Sequence, residues 1–198
     1  TKRKEVCFEK SLDKNFGNLK IGVIKNIDNL GVSKDILNAY ENSKIVLQGL
    51  GHQLSEIDFS ELSSGICSYY VIAPAECSSN LSRFDGIKFG HRSQAQKDIS
   101  DLYMQTRSEG FGDEVKKRIL IGTHVLSAGF YDAYYLKAQK VRRMIKNKFE
   151  EIFKEVDLIF MPTTLDQAFE KNRESSDPNR MYKEDLLTIP ANLFFIIL

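Results

Sequence analysis

Apolar positions between residues 113 and 152 recur every three or four places, with one interruption. Val115, Ile119, Leu120 and Leu126 form a first helical stripe; Tyr135, Ala138, Val141, Ile145, Phe149 and Ile152 form a second. Such spacing predicts two amphipathic helices. Gly110 and Gly112 break what precedes them and Asp113 is placed to cap the first helix; Asp132 is placed to cap the second. Between them Ser127, Ala128 and Gly129 are small enough either to stop a helix or to let two backbones approach.

The remainder reads as alternating strands and helices. Residues 19–25, LKIGVIK, are short and apolar and predict a strand. Ser33 can cap a helix carrying Ile36, Leu37, Tyr40, Leu47 and Leu50 that ends near Gly49 or Gly51. Residues 53–59 predict a second strand of poor alternation. Strand, helix, strand implies a parallel pairing and an α/β class. Residues 61–83 predict a helix with Leu62, Ile66, Tyr69, Tyr70 and Ala73 on one side, and Pro74 predicts a kink or break in it. Residues 84–93 are a glycine-containing loop, and Asp98 or Ser100 starts a short helix through Arg107. VDLIFM (156–161) predicts a strand closed by Pro162. Residues 165–180 are polar, and a last short helix is expected over 181–189, before Pro190.

Composition narrows the class without naming a function. The 198 residues suffice for one ordinary domain or part of a larger one, and a net charge of +1 offers no general attraction to nucleic acid or membrane. Cys7, Cys67 and Cys77 lack metal-binding spacing and are odd in number, which points to a reducing cytoplasm. No apolar run has the length of a membrane span, and the charged start TKRKEVCFEK does not resemble a signal peptide. The absence of an initiator Met and the apolar end LFFIIL suggest an internal piece.

The candidate chemistry is sparse. Ser63, Ser64 and Gly65, and again Ser78, Ser79 and Asn80, are the nearest approach to a serine nucleophile motif. Neither is glycine-rich on both sides, and no G-x-S-x-G turn exists, so no catalytic residue is assigned. His52, His91 and His124 are scattered without ligand spacing, so no metal is expected. Lys137, Lys140, Arg142, Arg143, Lys146 and Lys148 could meet phosphate, but Glu150, Glu151 and Glu155 follow, and a solvated helix face accounts for them. Thr163, Thr164 and Asp166 follow a strand end, where both turn chemistry and pocket lining are open readings.

Longer strings carry more. EGFGDEVKKRILIGTHVLSAGFYDAYYLKAQKVR, YYVIAPAECSSNLSRFDGIKFGHRS (69–93), VDLIFMPTT (156–164) and DPNRMYKEDLLTIPAN (177–192) occur in order over residues 19 to 192. Together they resemble the A subunit of the glutamyl-tRNA(Gln) amidotransferases, a branch of the amidase signature enzymes. The resemblance implies an α/β amidase signature fold, a mixed sheet covered by helices on both sides, incomplete in this chain. It implies a single partial domain over 1–198, without the N-terminal Ser-Ser-Lys catalytic part and with an altered C-terminal end.

The same resemblance implies that the whole protein hydrolyses glutamine and passes ammonia to a B subunit. That partner amidates glutamyl-tRNA(Gln) using ATP and magnesium, with a small C subunit completing the complex. No cofactor is implied for the glutaminase component itself, and tRNA contact would be indirect, through B. The family's glutamine pocket carries over to Tyr69, to Arg118 for the α-carboxylate and to Asp185 for the α-ammonium. Residue by residue, a core tyrosine and two solvated helix charges remain open. Two other functions stay open as well: a truncated interaction piece that hydrolyses nothing, and a fragment of another amidase acting on a free amide.

Overall fold

The apolar run after Leu19 forms strand β1 (Lys20–Ile24), in which four consecutive residues are buried, as expected of a strand covered on both faces. The computed structural model describes Glu9 and residues 16–58, 60, 62–94, 97–169 and 180–195. A left-handed Asn26 and Gly31 bracket a single 3-10 turn, and helix α1 (Lys34–Gly49) follows with Ser33 at its N-cap. Strand β2 (Gln53–Ile57) lies parallel to β1, Ile21 opposite Leu54 and Ile24 opposite Ile57. The predicted strand–helix–strand unit therefore forms.

Helix α2 is Leu62–Leu81, α3 Ile99–Gly110, α4 Asp113–Val125 and α5 Leu136–Ile152. Strand β3 (Leu158–Phe160) pairs parallel with the other side of β1, which gives the sheet order β2-β1-β3. Helices α6 (Arg180–Glu184) and α7 (Ile189–Phe195) follow.

The chain divides into two compact units. The first is drawn from Thr1–Phe59 and Glu150–Ala168, the second from Ser60–Phe149 and Phe169–Leu198. In the first, Ile21, Val23, Ile24, Tyr40, Ile57 and Val156 form the core. Tyr40, 3% exposed, bridges two strands: its hydroxyl accepts from the Ile24 N–H at 3.1 Å and donates to the Phe160 carbonyl at 3.1 Å. Its ring stacks on Phe160 at 5.2 Å. In the second unit Ile72, Ala75, Ile145, Leu187, Ile189 and Leu193 are among the most deeply buried residues.

Several sequence expectations change. Of the kink or break expected at Pro74, the break does not occur: α2 runs through it, although the ring removes one helical hydrogen bond. Pro190 does not follow the last helix; it occupies the second position of α7, in a first turn whose N–H groups lack helical partners in any case. The buried side of α4 is Gly122 and Val125, while Leu120 is 71% exposed and Leu126 also faces outward. Asp113 begins α4 with Gly112 at the cap, and a π-helical turn, Tyr131–Tyr135, precedes α5 where a cap at Asp132 was expected. Of the Ser127, Ala128, Gly129 cluster, Gly129 takes φ +89° with nothing within 4 Å of a built Cβ, so it serves the turn and no close approach. Cys7, most of the polar stretch 165–180 and the last three residues lie outside the described residues.

Candidate functional site

Helices α2 and α4 of the second unit meet at unusually close range, and the sequence explains how. Gly122 presents no side chain, and a Cβ there would run into the Pro74 carbonyl and come within 2.7 Å of the Ser78 Cβ. The contact advances in step along both helices. Ser78 Oγ lies 2.9 Å from Thr123 Oγ1, and one turn before Pro74 and Gly122 the Arg118 guanidinium lies over the Tyr70 ring, 6.0 Å from its centroid.

Arg118 is anchored along its own helix. Its Nε donates to Glu114 Oε1 at 3.0 Å, one turn back, and the side chain is one-third exposed. Glu114 also sits in the first turn of α4, where the helix dipole favours a carboxylate. The Glu114 hydrogen bond holds the guanidinium further above its already high pKa, and the Tyr69 hydroxyl contributes in the same direction. With Nε engaged, the fork between the two terminal nitrogens is the edge suited to a carboxylate.

Asp185 lies in the turn between α6 and α7. Its backbone carbonyl accepts from the Ile189 and Thr188 N–H groups at 3.0 and 3.2 Å, which fixes the turn. Its carboxylate Oδ2 accepts from the Tyr70 hydroxyl at 3.0 Å. Burial, then the Asp185 hydrogen bond, push the Tyr70 phenol up to about 12. Tyr70 also meets Tyr69 edge to face at 5.2 Å and Tyr182 at 4.7 Å.

The three residues expected to form a pocket, Tyr69, Arg118 and Asp185, are thus gathered around one further side chain, Tyr70. Among the described residues no ion pair joins Arg118 to Asp185. A cation and an anion on one tyrosine, each in part open to water, is an arrangement that could receive a zwitterion. Sequence reading missed Tyr70 and Glu114; the only signal for them was their place one residue and one turn from the assigned positions.

The remaining candidates resolve as follows. Both serine pairs lie inside α2, and Ser78 is hydrogen-bonded to Thr123. His52 accepts from the Leu19 N–H at 3.2 Å, His91 meets Glu109 at 2.8 Å, and His124 packs 4.1 Å from the Phe130 ring centroid. Among the described residues, no group of three or more His, Cys, Asp or Glu could hold a metal ion. In the first unit, Thr163 and Thr164 help to line an open depression of about 310 Å³ with Tyr40 and Phe160. Thr164 also bonds the Asp166 carbonyl at 2.9 Å, so turn and lining roles coincide there. Lys137, Lys140 and Arg143 are exposed, whereas Arg142 reaches back to the Leu193 carbonyl at 3.2 Å. No helix among the described residues is long and apolar enough to cross a membrane.

The model of the family described as Amidase matches residues 1–195. The chain belongs to the amidase family. This amidase chain is 51% identical over 173 residues to the A subunit of the glutamyl-tRNA(Gln) amidotransferase of Hahella chejuensis, covering 87% of the chain and 36% of that protein. With the same subunit of Pseudomonas fluorescens SBW25 it shares 50% over 186 residues, 94% of the chain and 38% of the relative. The chain therefore spans little more than a third of these relatives' length. The crystal structure of the glutamyl-tRNA(Gln) amidotransferase A subunit from Thermotoga maritima superposes with a TM-score of 0.64 at 33% identity, over 93% of this chain and 35% of that one. A structure described as an amidase gives a TM-score of 0.67 at 16% identity over 91% and 37%, a likeness of fold alone.

Proposed function

We propose that this segment supplies the glutamine-recognition part of a glutaminase subunit, within an ATP-dependent complex that converts glutamyl-tRNA(Gln) to glutaminyl-tRNA(Gln). In this reading Arg118 takes the substrate α-carboxylate through its terminal nitrogens, Asp185 takes the α-ammonium, and Tyr69 lines the pocket. Ammonia released from the glutamine amide passes to a B subunit that activates the tRNA-bound glutamate with ATP and magnesium; a C subunit completes the assembly. In this reading the nucleophile system belongs to another part of the protein, and the serine pairs of α2 are structural.

One observation carries the proposal. Tyr70 and Asp185 are 115 positions apart, yet their side chains are hydrogen-bonded, and Arg118, from another helix, is laid against the same tyrosine. Charges that merely solvated a helix face would have no reason to converge. The likeness to A subunits of glutamyl-tRNA(Gln) amidotransferases supports an amidotransferase role.

The test is tRNA amidation with glutamine, and separately with ammonium, by the complete protein that carries this segment. Losing one partner of a charge pair at an interface costs about 2–5 kcal/mol. Arg118 is 33% exposed, so the lower end applies. At about 2–3 kcal/mol, Arg118→Ala lowers kcat/KM for glutamine roughly 30- to 150-fold. Asp185→Asn acts similarly, and ammonium restores both. Equal failure with both donors in a folded variant would assign these residues to structure.

A further inference from the structure

Tyr70 touches all three residues of the expected pocket: Tyr69 through its ring edge, Arg118 across its face and Asp185 through its hydroxyl. The last contact has a consequence for geometry. Asp185 sits on an exposed turn, where a free carboxylate would rotate among its rotamers. The 3.0 Å bond from the Tyr70 hydroxyl ties down Oδ2, and a carboxylate offers about four acceptor sites. With that bond on Oδ2, Oδ1 has no hydrogen-bond partner among the described residues. The tyrosine is itself held, edge to face against Tyr182 at 4.7 Å, and it lies one turn before the close contact of Pro74 with Gly122.

We infer that Tyr70 is a positioning residue of the glutamine pocket: its hydroxyl sets the Asp185 carboxylate so that the remaining oxygen meets the substrate α-ammonium, and its ring fixes the height of Arg118. The inference rests on the glutamine reading above. Burial and the Asp185 hydrogen bond push the phenol up to about 12, so the hydroxyl keeps its proton in a neutral assay buffer. A phenylalanine would preserve the ring contacts and remove only this bond.

The experiment uses the complete protein in its amidotransferase assembly, with glutamine, with glutaramic acid (glutamine without its α-amino group) and with ammonium. All rates are divided by the ammonium-dependent rate of the same preparation, which counts folded, assembled enzyme. Immobilising one rotamer-rich side chain is worth roughly a few-fold to tenfold. Tyr70→Phe is therefore expected to raise KM for glutamine about 5- to 10-fold with little change in kcat. Glutaramic acid use should be nearly unchanged, so that discrimination for the α-amino group falls by the same factor. On an Asp185→Asn background, Tyr70→Phe should add less than about 2-fold, because its partner is already altered.

A full, multiplicative effect on that background overturns the inference, as does an equal loss with glutamine and glutaramic acid. If Arg118→Ala and Asp185→Asn impair glutamine use while Tyr70→Phe does not, the positioning role fails and the pocket stands. If neither Arg118→Ala nor Asp185→Asn has an effect, the pocket reading itself fails.

Discussion

Adding one methyl group at Gly122 tests the closest contact in the second unit. In an ordinary helix interior Gly→Ala stabilises, by about 0.8–1.0 kcal/mol. Here the new Cβ meets the Pro74 carbonyl and stands 2.7 Å from the Ser78 Cβ. A main-chain carbonyl has no rotamer to escape into, so α2 and α4 must move apart. Overpacking of this kind costs about 1–3 kcal/mol, and a backbone clash belongs at the upper end. Setting about 3 against about 1 leaves Gly122→Ala destabilised by about 2 kcal/mol. For a chain of this size that lowers Tm by about 4–8 °C, read by circular dichroism on the protein and its variant side by side. The sign decides: an unchanged or higher melting point would mean that the two helices are not held at this distance. Arg118 and Tyr70 lie one turn before Gly122 and Pro74, so the same variant should also use glutamine less well relative to ammonium.

Two further outcomes are expected. Tyr40→Phe strands the buried Ile24 N–H and should cost about 1–3 kcal/mol in urea unfolding; a loss well under 1 kcal/mol would mean that the hydroxyl is not the bridge between β1 and β3. Glu109 holds the 84–93 loop through His91 and Ser93, and those hydrogen bonds, His91 first, keep its carboxyl below its ordinary 4.5. A depressed folded-state pKa means that the anchor is complete above 4.5 and lost as pH falls through the lower folded value. Loop amide signals should therefore shift on acidification from about pH 6 to 3, and in Glu109→Gln they should be altered already at pH 6; pH-independent signals in the unaltered protein would refute the anchor.

The chain's apolar spacing disclosed the βαβ unit, because β1 and α1 carry strong local patterns and Gly49 and Gly51 end the helix where the stripe ends. It misjudged α4, whose real contact is made by the absence of a side chain. Leu120 looked like core and is 71% exposed, whereas Gly122 looked neutral and is buried. Hydrophobic periodicity counts bulk, so a seam built from a glycine against a proline carbonyl is invisible to it. At Pro74 local sterics forecast a kink or a break; the helix is not broken there, and the neighbouring Ile72 and Ala75 are buried. At the site, residue types and the family resemblance named Tyr69, Arg118 and Asp185. Their meeting on Tyr70 depends on a contact 115 positions apart, which no local pattern encodes.

The place of β3 beside β1 also sets a timetable. The Lys20 N–H bonds the carboxylate of Asp157, 137 positions away, at the point where β3 joins the sheet. A ribosome working at roughly 5–20 residues per second needs about 7–27 s to make that stretch. Strands β1 and β2 and helix α1 can associate within microseconds to milliseconds of emerging, so the apolar strand β1 then waits with one ladder open. During that interval another nascent chain can offer the same edge. A chain whose synthesis has passed β2 but not β3 therefore carries an open strand edge, and slowing translation would lengthen its life.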